Sequence, residues 1–371
     1  MDAIRLLDLR LAPPIRSQTI YHAVAYALDD ATRTPDTIIL VAPTEPYVCI
    51  GFHQELEKEV DVEYCRARGL PIVRREVGGG AVYLDKNQVF MQWIFHRAAL
   101  PHDVGDRFAL YVKPLVETYH ALGIPASYRP INDVHVQGKK IGGTGAAQIG
   151  QAQVVVGSLM FDFNFELMSR VLKVASEKMR DKIVQSLNEY MTTMTRQLGH
   201  TPDRDTVVKL YLDKAQAALG RPIVPSEPTA RELALAEELD RQFTTDEWLY
   251  QKGGLRHAER GIKIHQDVRV QEVSHKTPGG LVRVTARMRD GAMSTSGATG
   301  TSRIDDLTLS GDFTMLPQFA PGALELALRG TALEEKAVQA RIGDVYRSLA
   351  VQSPGLTAGD LTNAIMLLAQ S

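Results

Sequence analysis

The segment Asn132-Asp133-Val134-His135-Val136-Gln137-Gly138-Lys139-Lys140-Ile141-Gly142-Gly143-Thr144-Gly145-Ala146 reads as two β-strands folded back on a turn. Apolar residues alternate up to Val136, Gly138 supplies the turn, and a second strand begins at Lys140. The pleat sends Asn132, Val134 and Val136 to one face and Asp133 and His135 to the other. Lys140 then enters a sheet beside glycines that leave room for a ligand, and a lysine so placed needs an anionic partner. On these residues alone two readings stand: an anion-binding lysine, or an ordinary hairpin with Lys139 and Lys140 as solvated turn charges.

Upstream lies a second segment of the same kind, Arg74-Arg75-Glu76-Val77-Gly78-Gly79-Gly80-Ala81-Val82-Tyr83-Leu84-Asp85. Three glycines after a strand free the backbone to curve and bring its N–H groups close to a ligand. Arg75 adds a planar, permanently charged fork suited to phosphate or carboxylate. A tight turn flanked by two solvated arginines explains the glycines equally well.

Around these segments the chain alternates strands and helices. Strands are expected at Ile4 to Leu11, Thr37 to Ala42, Tyr47 to Ile50, Ile72 to Arg75, Val82 onwards, Val89 to His96, Ile131 to Val136, Lys140 to Ala147 and Ala152 to Phe163. Helices are expected from a Ser17 cap to Asp29, at Val60 to Arg68, Asp106 to Leu122, within Phe165 to Leu219, and at Thr229 to Phe243. Arg221 to Pro228, rich in proline, reads as a linker. Beyond Trp248 the texture changes to strands at Lys263–Ile264, Val268–Val273, Leu281–Arg289 and Ile304–Ser310, with Asp290 to Ser302 as a Gly/Ser/Thr-rich hairpin tip, then closing helices at Leu324 to Leu328, Leu333 to Ile342 and Leu361 to Leu368. This is the pattern of a second, small α+β domain.

The bulk numbers exclude several classes. Of 371 residues, 44% are hydrophobic and 23% charged, enough for a sizeable core, and the formal net charge of −2 offers no broad lure for nucleic acid or an anionic membrane. The two cysteines, Cys49 and Cys65, make neither a metal-like pair nor a disulfide framework. No basic flank with a long apolar run opens the chain, and no stretch approaches a membrane span. A reducing cytoplasm is the simplest home. The P-loop, the strand-borne G-x-G-x-x-G, H-E-x-x-H and G-x-S-x-G are all absent. The scattered His53, His96, His102, His120 and His135 read as structural or solvated.

Taken together, the two segments resemble the lipoate–protein ligase family of the biotin/lipoate ligase superfamily. That family carries an arginine pair before a Gly-Gly-Gly-Ala-Val loop, then Asn-Asp and a Gly-Lys-Lys-Ile-like hairpin whose second lysine is essential. Here these match Arg74-Arg75, Gly78 to Val82, Asn132-Asp133 and Gly138 to Ile141. An Ile-Gly-x-x-Gln element matches Ile50 to Gln54, and a Gly-Asp-Phe element of the accessory domain matches Gly311-Asp312-Phe313. Departures are Val77 for the usual serine, Leu84-Asp85 for His-Asp, and Gly142-Gly143-Thr144-Gly145 for Ser-Gly-Ser/Thr-Ala.

The resemblance implies an α+β fold: a mixed sheet flanked by helices over residues 1–245, and a small α+β accessory domain over 246–371. It implies an ATP- and Mg²⁺-dependent ligase that makes lipoyl-AMP from lipoate and passes the lipoyl group to a lysine of a carrier protein, with no nucleic-acid or membrane partner. Lys140 would be catalytic, bridging the lipoate carboxylate and the α-phosphate. Arg75 would hold phosphate. Gly78, Gly79, Gly80, Ala81, Val82 and Tyr83 would wrap the acyl-adenylate, with Asn132 and Asp133 completing the site. Phe90, Trp93 and Phe95 would either line a tunnel for the lipoyl tail or pack in the core. Lys178, Arg180 and Lys182 would belong either to a mobile adenylate-covering loop or to a solvated helix. Rivals on the same fold are an acyl amidotransferase using a nucleophilic cysteine, a biotin ligase, and a ligase-like binder without turnover. The cysteine positions speak against the first and the missing Gly-Arg-Gly-Arg-type motif against the second.

Overall fold

The computed structural model describes residues 3–28, 34–174, 176–252, 263–265, 268–293 and 299–370. It divides into two units, one of Met1–Ile50, Leu56–Val77 and Ala81–Leu249, the other of Gly51–Glu55, Gly78–Gly80 and Tyr250–Ser371.

The first unit carries the strands β1 (Ile4–Ala12), β2 (Thr37–Pro43), β3 (Tyr47–Ile50), β4 (Ile72–Arg74), β5 (Val82–Leu84), β6 (Gln88–His96), β7 (Ala126–Arg129), β8 (Asp133–Val136), β9 (Lys139–Ile149), β10 (Ala152–Met160) and β11 (Ile223–Pro225). Eight of them form a mixed sheet in the order β11-β1-β2-β6-β10-β9-β8-β7, and a three-stranded sheet has the order β4-β3-β5. β1 runs parallel to β2 and β11. From β2 to β7 every pairing is antiparallel.

Alternation along β6 sorts the core. Phe90 and Ile94 join Ile20 and Val24 of the Pro14–Ala27 helix and Ala236 and Leu239 of the Ala230–Phe243 helix. The opposite face carries Trp93, which stacks edge-on against Tyr111 at 4.9 Å and donates its indole N–H to Tyr211 at 2.9 Å. These tyrosines sit on the Val104–Ala121 and Arg204–Leu219 helices. Phe90 and the pair Trp93 and Phe95 therefore lie on opposite faces and cannot line one tunnel. Trp93 and Phe95 are fully buried core.

Buried charge fixes one corner. Glu232 accepts from the Thr229 backbone N–H at 2.7 Å in a capping box and also pairs with Arg5 of β1, whose Nε donates to Thr37 of β2 at 3.1 Å. One carboxylate thus starts a helix and neutralises a guanidinium that would otherwise be buried alone.

Several sequence expectations change. The first helix begins at Pro14, where proline's fixed φ suits a first turn, and Ser17 lies inside it with its hydroxyl donating to the Pro14 carbonyl at 2.7 Å. The helix expected from Val60 to Arg68 is the shorter Val62–Ala67, because Asp61 caps it by accepting from Tyr64 N, and a separate helical turn, Leu56–Glu59, precedes it. The expected linker contributes an edge strand, β11, beside β1. The strand expected from Ile131 begins at Asp133. Within the expected Gly/Ser/Thr-rich tip, residues 290–293 and 299–302 extend strands Gly280–Met293 and Thr299–Gly311, and 294–298 lies outside the described residues.

The second unit has an antiparallel sheet of β12 (Lys263–His265), β13 (Val268–Thr277), β14 (Gly280–Met293) and β15 (Thr299–Gly311). The helices Ala320–Leu328, Glu335–Ser348 and Ala358–Met366 pack on it through a core that includes Val284, Leu309, Leu324, Ile342 and Ile365. Within the same unit Glu55 accepts from Ser310 at 2.6 Å, His53 stacks on Phe313 at 4.9 Å, and Gly79 N donates to the Phe313 carbonyl at 3.3 Å. A Cβ on Gly78 would stand 2.6 Å from that carbonyl oxygen, so glycine here permits close approach of the chain's own backbone.

Candidate active site

β8 and β9 form the hairpin expected around Lys140. Gln137 and Gly138 occupy the turn with φ of 50° and 81°, the double positive φ of a two-residue turn whose twist matches its strands. Val134 and Val136 are fully buried, and Asp133 and His135 share the other face, as alternation requires. Lys140 Nζ lies 2.7 Å from Asp133 Oδ1, with the two side chains 38% and 28% exposed. Asp133 stands opposite Gly143 in the register, and a Cβ on Gly143 would come within 2.9 Å of Lys140 Nζ. The room that Gly143 leaves is thus room for the ammonium itself.

Three further groups brace this arrangement. Asn132 is used in the fold: its carbonyl accepts from Thr144 N at 2.9 Å and Oγ1 at 3.0 Å, and its amide donates to Thr144 O. The Lys140 carbonyl accepts from Thr192 N at 2.9 Å. His135 lies behind Asp133, with Nε2 3.7 Å from Asp133 Oδ2 and Nδ1 3.2 Å from the Gly138 carbonyl. Lys139 is exposed and its ammonium reaches the Asn188 carbonyl at 3.4 Å.

The arginine pair divides its labour. Arg74 is fully buried and donates through Nε and Nη2 to the Leu249 carbonyl at 3.0 and 2.7 Å, while its own carbonyl accepts from Trp248 Nε1 at 3.0 Å. Arg75 is half-buried, with Nη1 donating to the Cys49 carbonyl at 3.3 Å. Past the glycines, Ala81 leads into β5, where Val82 and Tyr83 pair with Cys49 and Val48 of β3. Tyr83 donates its hydroxyl to Asp85 at 3.1 Å, and burial with that neighbouring carboxylate holds its proton well above the ordinary phenol range.

Asp85 and Asn87 line a groove of about 690 Å³, with Asp162, Phe163, Asn164, Phe165, Glu166, Ser169, Arg170, Arg180, Asp181, Val184 and Asn188 as its other walls. Sequence reasoning passed over this groove; the signal was Asp85, which occupies the aspartate of the expected His-Asp pair, and the aromatic and amide run Phe163-Asn164-Phe165. Arg180 proves neither loop-borne nor solvated. Its buried guanidinium donates to the carbonyls of Ser169 and Arg170 at 2.6 and 3.1 Å, terminating the Phe165–Val171 helix. Lys178 and Lys182 are exposed on the Glu177–Tyr190 helix.

Both cysteines are buried. Burial pushes the Cys49 thiol up despite the nearby Arg75, and pushes Cys65 up to about 11. No cluster of three or more His, Cys, Asp or Glu able to hold a metal occurs among the described residues. Among the described residues no helix is long and apolar enough to cross a membrane.

Residues 21–216 match the family model for the lipoyl protein ligase A/B catalytic domain. The octanoyltransferase LipM of Kyrpidia tusciae is 29% identical over 245 residues, covering 59% of this chain and 89% of that protein. A bi-partite lipoate protein ligase from Thermoplasma acidophilum, from a structural study of an archaeal lipoylation system with its E2 lipoyl domain, is 26% identical with a TM-score of 0.61, covering 67% of this chain and 96% of that one. P. falciparum LipL1 in complex with lipoate shares the fold over 100% of this chain and 99% of its own, with a TM-score of 0.68 at 11% identity.

Proposed function

The chain belongs to the lipoyl protein ligase A/B catalytic-domain family, and from that premise we propose that it is an ATP-dependent lipoate–protein ligase. Lipoate's carboxylate attacks the α-phosphate of ATP, releasing pyrophosphate and leaving lipoyl-AMP. A lysine of a lipoyl carrier domain then attacks the acyl carbon, its nitrogen loses a proton, and AMP departs.

Lys140 does the decisive work in the first step. Two anions must meet, and a lysine turned from Asp133 toward them offsets their repulsion and the charge that builds in the transition state. Arg75 and the backbone from Ala81 to Tyr83 hold the phosphates and acyl-adenylate. Phe163, Phe165, Asn87 and Asn188 give the groove an aromatic wall and amides suited to a nucleobase, whereas its carboxylates disfavour a triphosphate there.

A second reading, acyl transfer between carriers without ATP, has the name of the K. tusciae relative in its favour. What supports the ligase over it is the state of the thiols: the two cysteines of the chain are buried and their thiols pushed up, the opposite of an activated nucleophile. Lipoate-dependent ATP–pyrophosphate exchange decides between the two. The ligase exchanges, and a variant carrying Cys49→Ala and Cys65→Ala still exchanges. Octanoyl transfer from a loaded carrier in the absence of ATP, lost in the folded cysteine-free variant, would overturn the ligase reading.

A further inference from the structure

The backbone leading from β4 into the glycines departs from the family's pattern at Val77, where a serine hydroxyl is expected. Val77 is buried in the first unit's core, so it offers no polar hold on this segment. The hold comes from the residue before it. Glu76 turns toward the Pro14–Ala27 helix, where its Oε2 lies 3.1 Å from His22 Nδ1 and its Oε1 accepts from the Tyr26 hydroxyl at 3.2 Å. His22 and Tyr26 stand four residues apart and so present one face to the carboxylate. His22 is fully buried and edge-on to Phe243 at 4.9 Å, and neither of its ring nitrogens has a hydrogen-bond partner among the described residues, so its 3.1 Å approach to Glu76 is an electrostatic contact. Burial by itself raises a carboxyl's proton affinity, but His22 and Tyr26 outweigh it and hold Glu76 below the ordinary carboxylate value. Such a carboxylate is committed to its own protein. It sits next to Arg75, and as an anion it repels phosphate, so any part it takes in nucleotide binding runs through the backbone.

We propose that Glu76, gripped by His22 and Tyr26, is a positioning residue that fixes the backbone from Arg75 to Val77 so that the Arg75 guanidinium meets the nucleotide's phosphates. This inference rests on the ligase reading of the site. Because the grip acts equally before and during reaction, its loss weakens nucleotide binding more than the chemical step.

The test uses the full chain with Glu76→Ala and Glu76→Gln, read by KM for ATP and kcat in pyrophosphate exchange, by amide hydrogen exchange over residues 74–77, and by Tm. Glu76→Ala raises KM for ATP by about tenfold with kcat within about twofold, and speeds amide exchange across the segment. Glu76→Gln keeps the shape and the bond from Tyr26, and falls between wild type and alanine in both measures. An unchanged KM, with or without a lower Tm, makes Glu76 a stability residue only and overturns the proposal. Unchanged amide exchange overturns it too. If the wild-type chain shows no lipoate-dependent exchange of pyrophosphate, the ligase reading falls by itself; ATP affinity by equilibrium titration then replaces KM, and with amide exchange still decides whether Glu76 positions the segment.

Discussion

Gly143 and Gly78 stand in glycine runs that look alike in the sequence, yet the spaces they leave are filled differently. A Cβ on Gly143 would meet the tip of a flexible side chain, Lys140 Nζ at 2.9 Å. A Cβ on Gly78 would meet backbone, the Phe313 carbonyl oxygen at 2.6 Å. The first glycine makes room for a charge and the second for a chain. Glycine reports close approach and is silent about what approaches, so the two runs carry different information despite similar composition.

Substitutions can break or sharpen this contrast. The largest effect belongs to the charge itself: Lys140→Ala lowers lipoate-dependent pyrophosphate exchange by about 10²–10³, the scale for losing one preorganised donor at a reacting anion. Because the side chain is 38% exposed, thermal melting stays close to wild type. Lys139→Ala, at an exposed neighbour, stays within about twofold. Normal exchange in Lys140→Ala would remove the hairpin from the chemistry.

Next comes Gly143→Ala. The new methyl displaces the ammonium while the flexible stem absorbs the strain, so exchange drops by about 10- to 100-fold, as a misplacement near 1 Å brings, with little change in Tm. Gly78→Ala reverses the pattern at first order: backbone cannot step aside cheaply, and calorimetry of the second unit registers a loss of about 1–3 kcal/mol. If Gly143→Ala melted early and Gly78→Ala did not, the assignment of the two spaces would be wrong.

The smallest effect is an acid one. The folded value of Glu76 lies below its ordinary 4.5, so it contributes stability above that pH, and the contribution is lost as pH falls through the folded value. The stability gap between wild type and Glu76→Gln, followed by denaturant titration, therefore narrows as the pH falls below 4.5. A gap that widened toward acid would contradict the grip of His22 and Tyr26.

Much of this was legible before any coordinates. Strict alternation placed Val134 and Val136 in the core and Asp133 with His135, because one buried face dictates register. The mixed sheet flanked by helices and the small second sheet with its helices also stand as the resemblance implied. What escaped were long-range partnerships. Nothing near Glu76 names His22, 54 positions away, and nothing near Arg74 names the Leu249 carbonyl. In the sequence Arg180 reads as belonging to a covering loop or to a solvated helix, because its acceptors are backbone carbonyls, which sequence does not display. The helix start at Asp61 was within reach, since an aspartate three residues before Tyr64 is an ordinary cap. For Lys140 the sequence demanded an anion and the structure supplies one, Asp133.

The pairing of β11 with β1 sets an order of assembly. Ile4 opposes Ile223, so one side of β1 stays an unpaired edge until more than half the chain has left the ribosome. Helix Ala230–Phe243, which closes the core over Ile20 and Val24, arrives later still. Contacts this far apart in sequence make folding slow and leave nascent or truncated chains with an apolar strand edge on offer to their neighbours. Chains stopped before Ile223 are accordingly expected to need a chaperone or to aggregate, whereas chains released after Phe243 have every strand of the large sheet in hand.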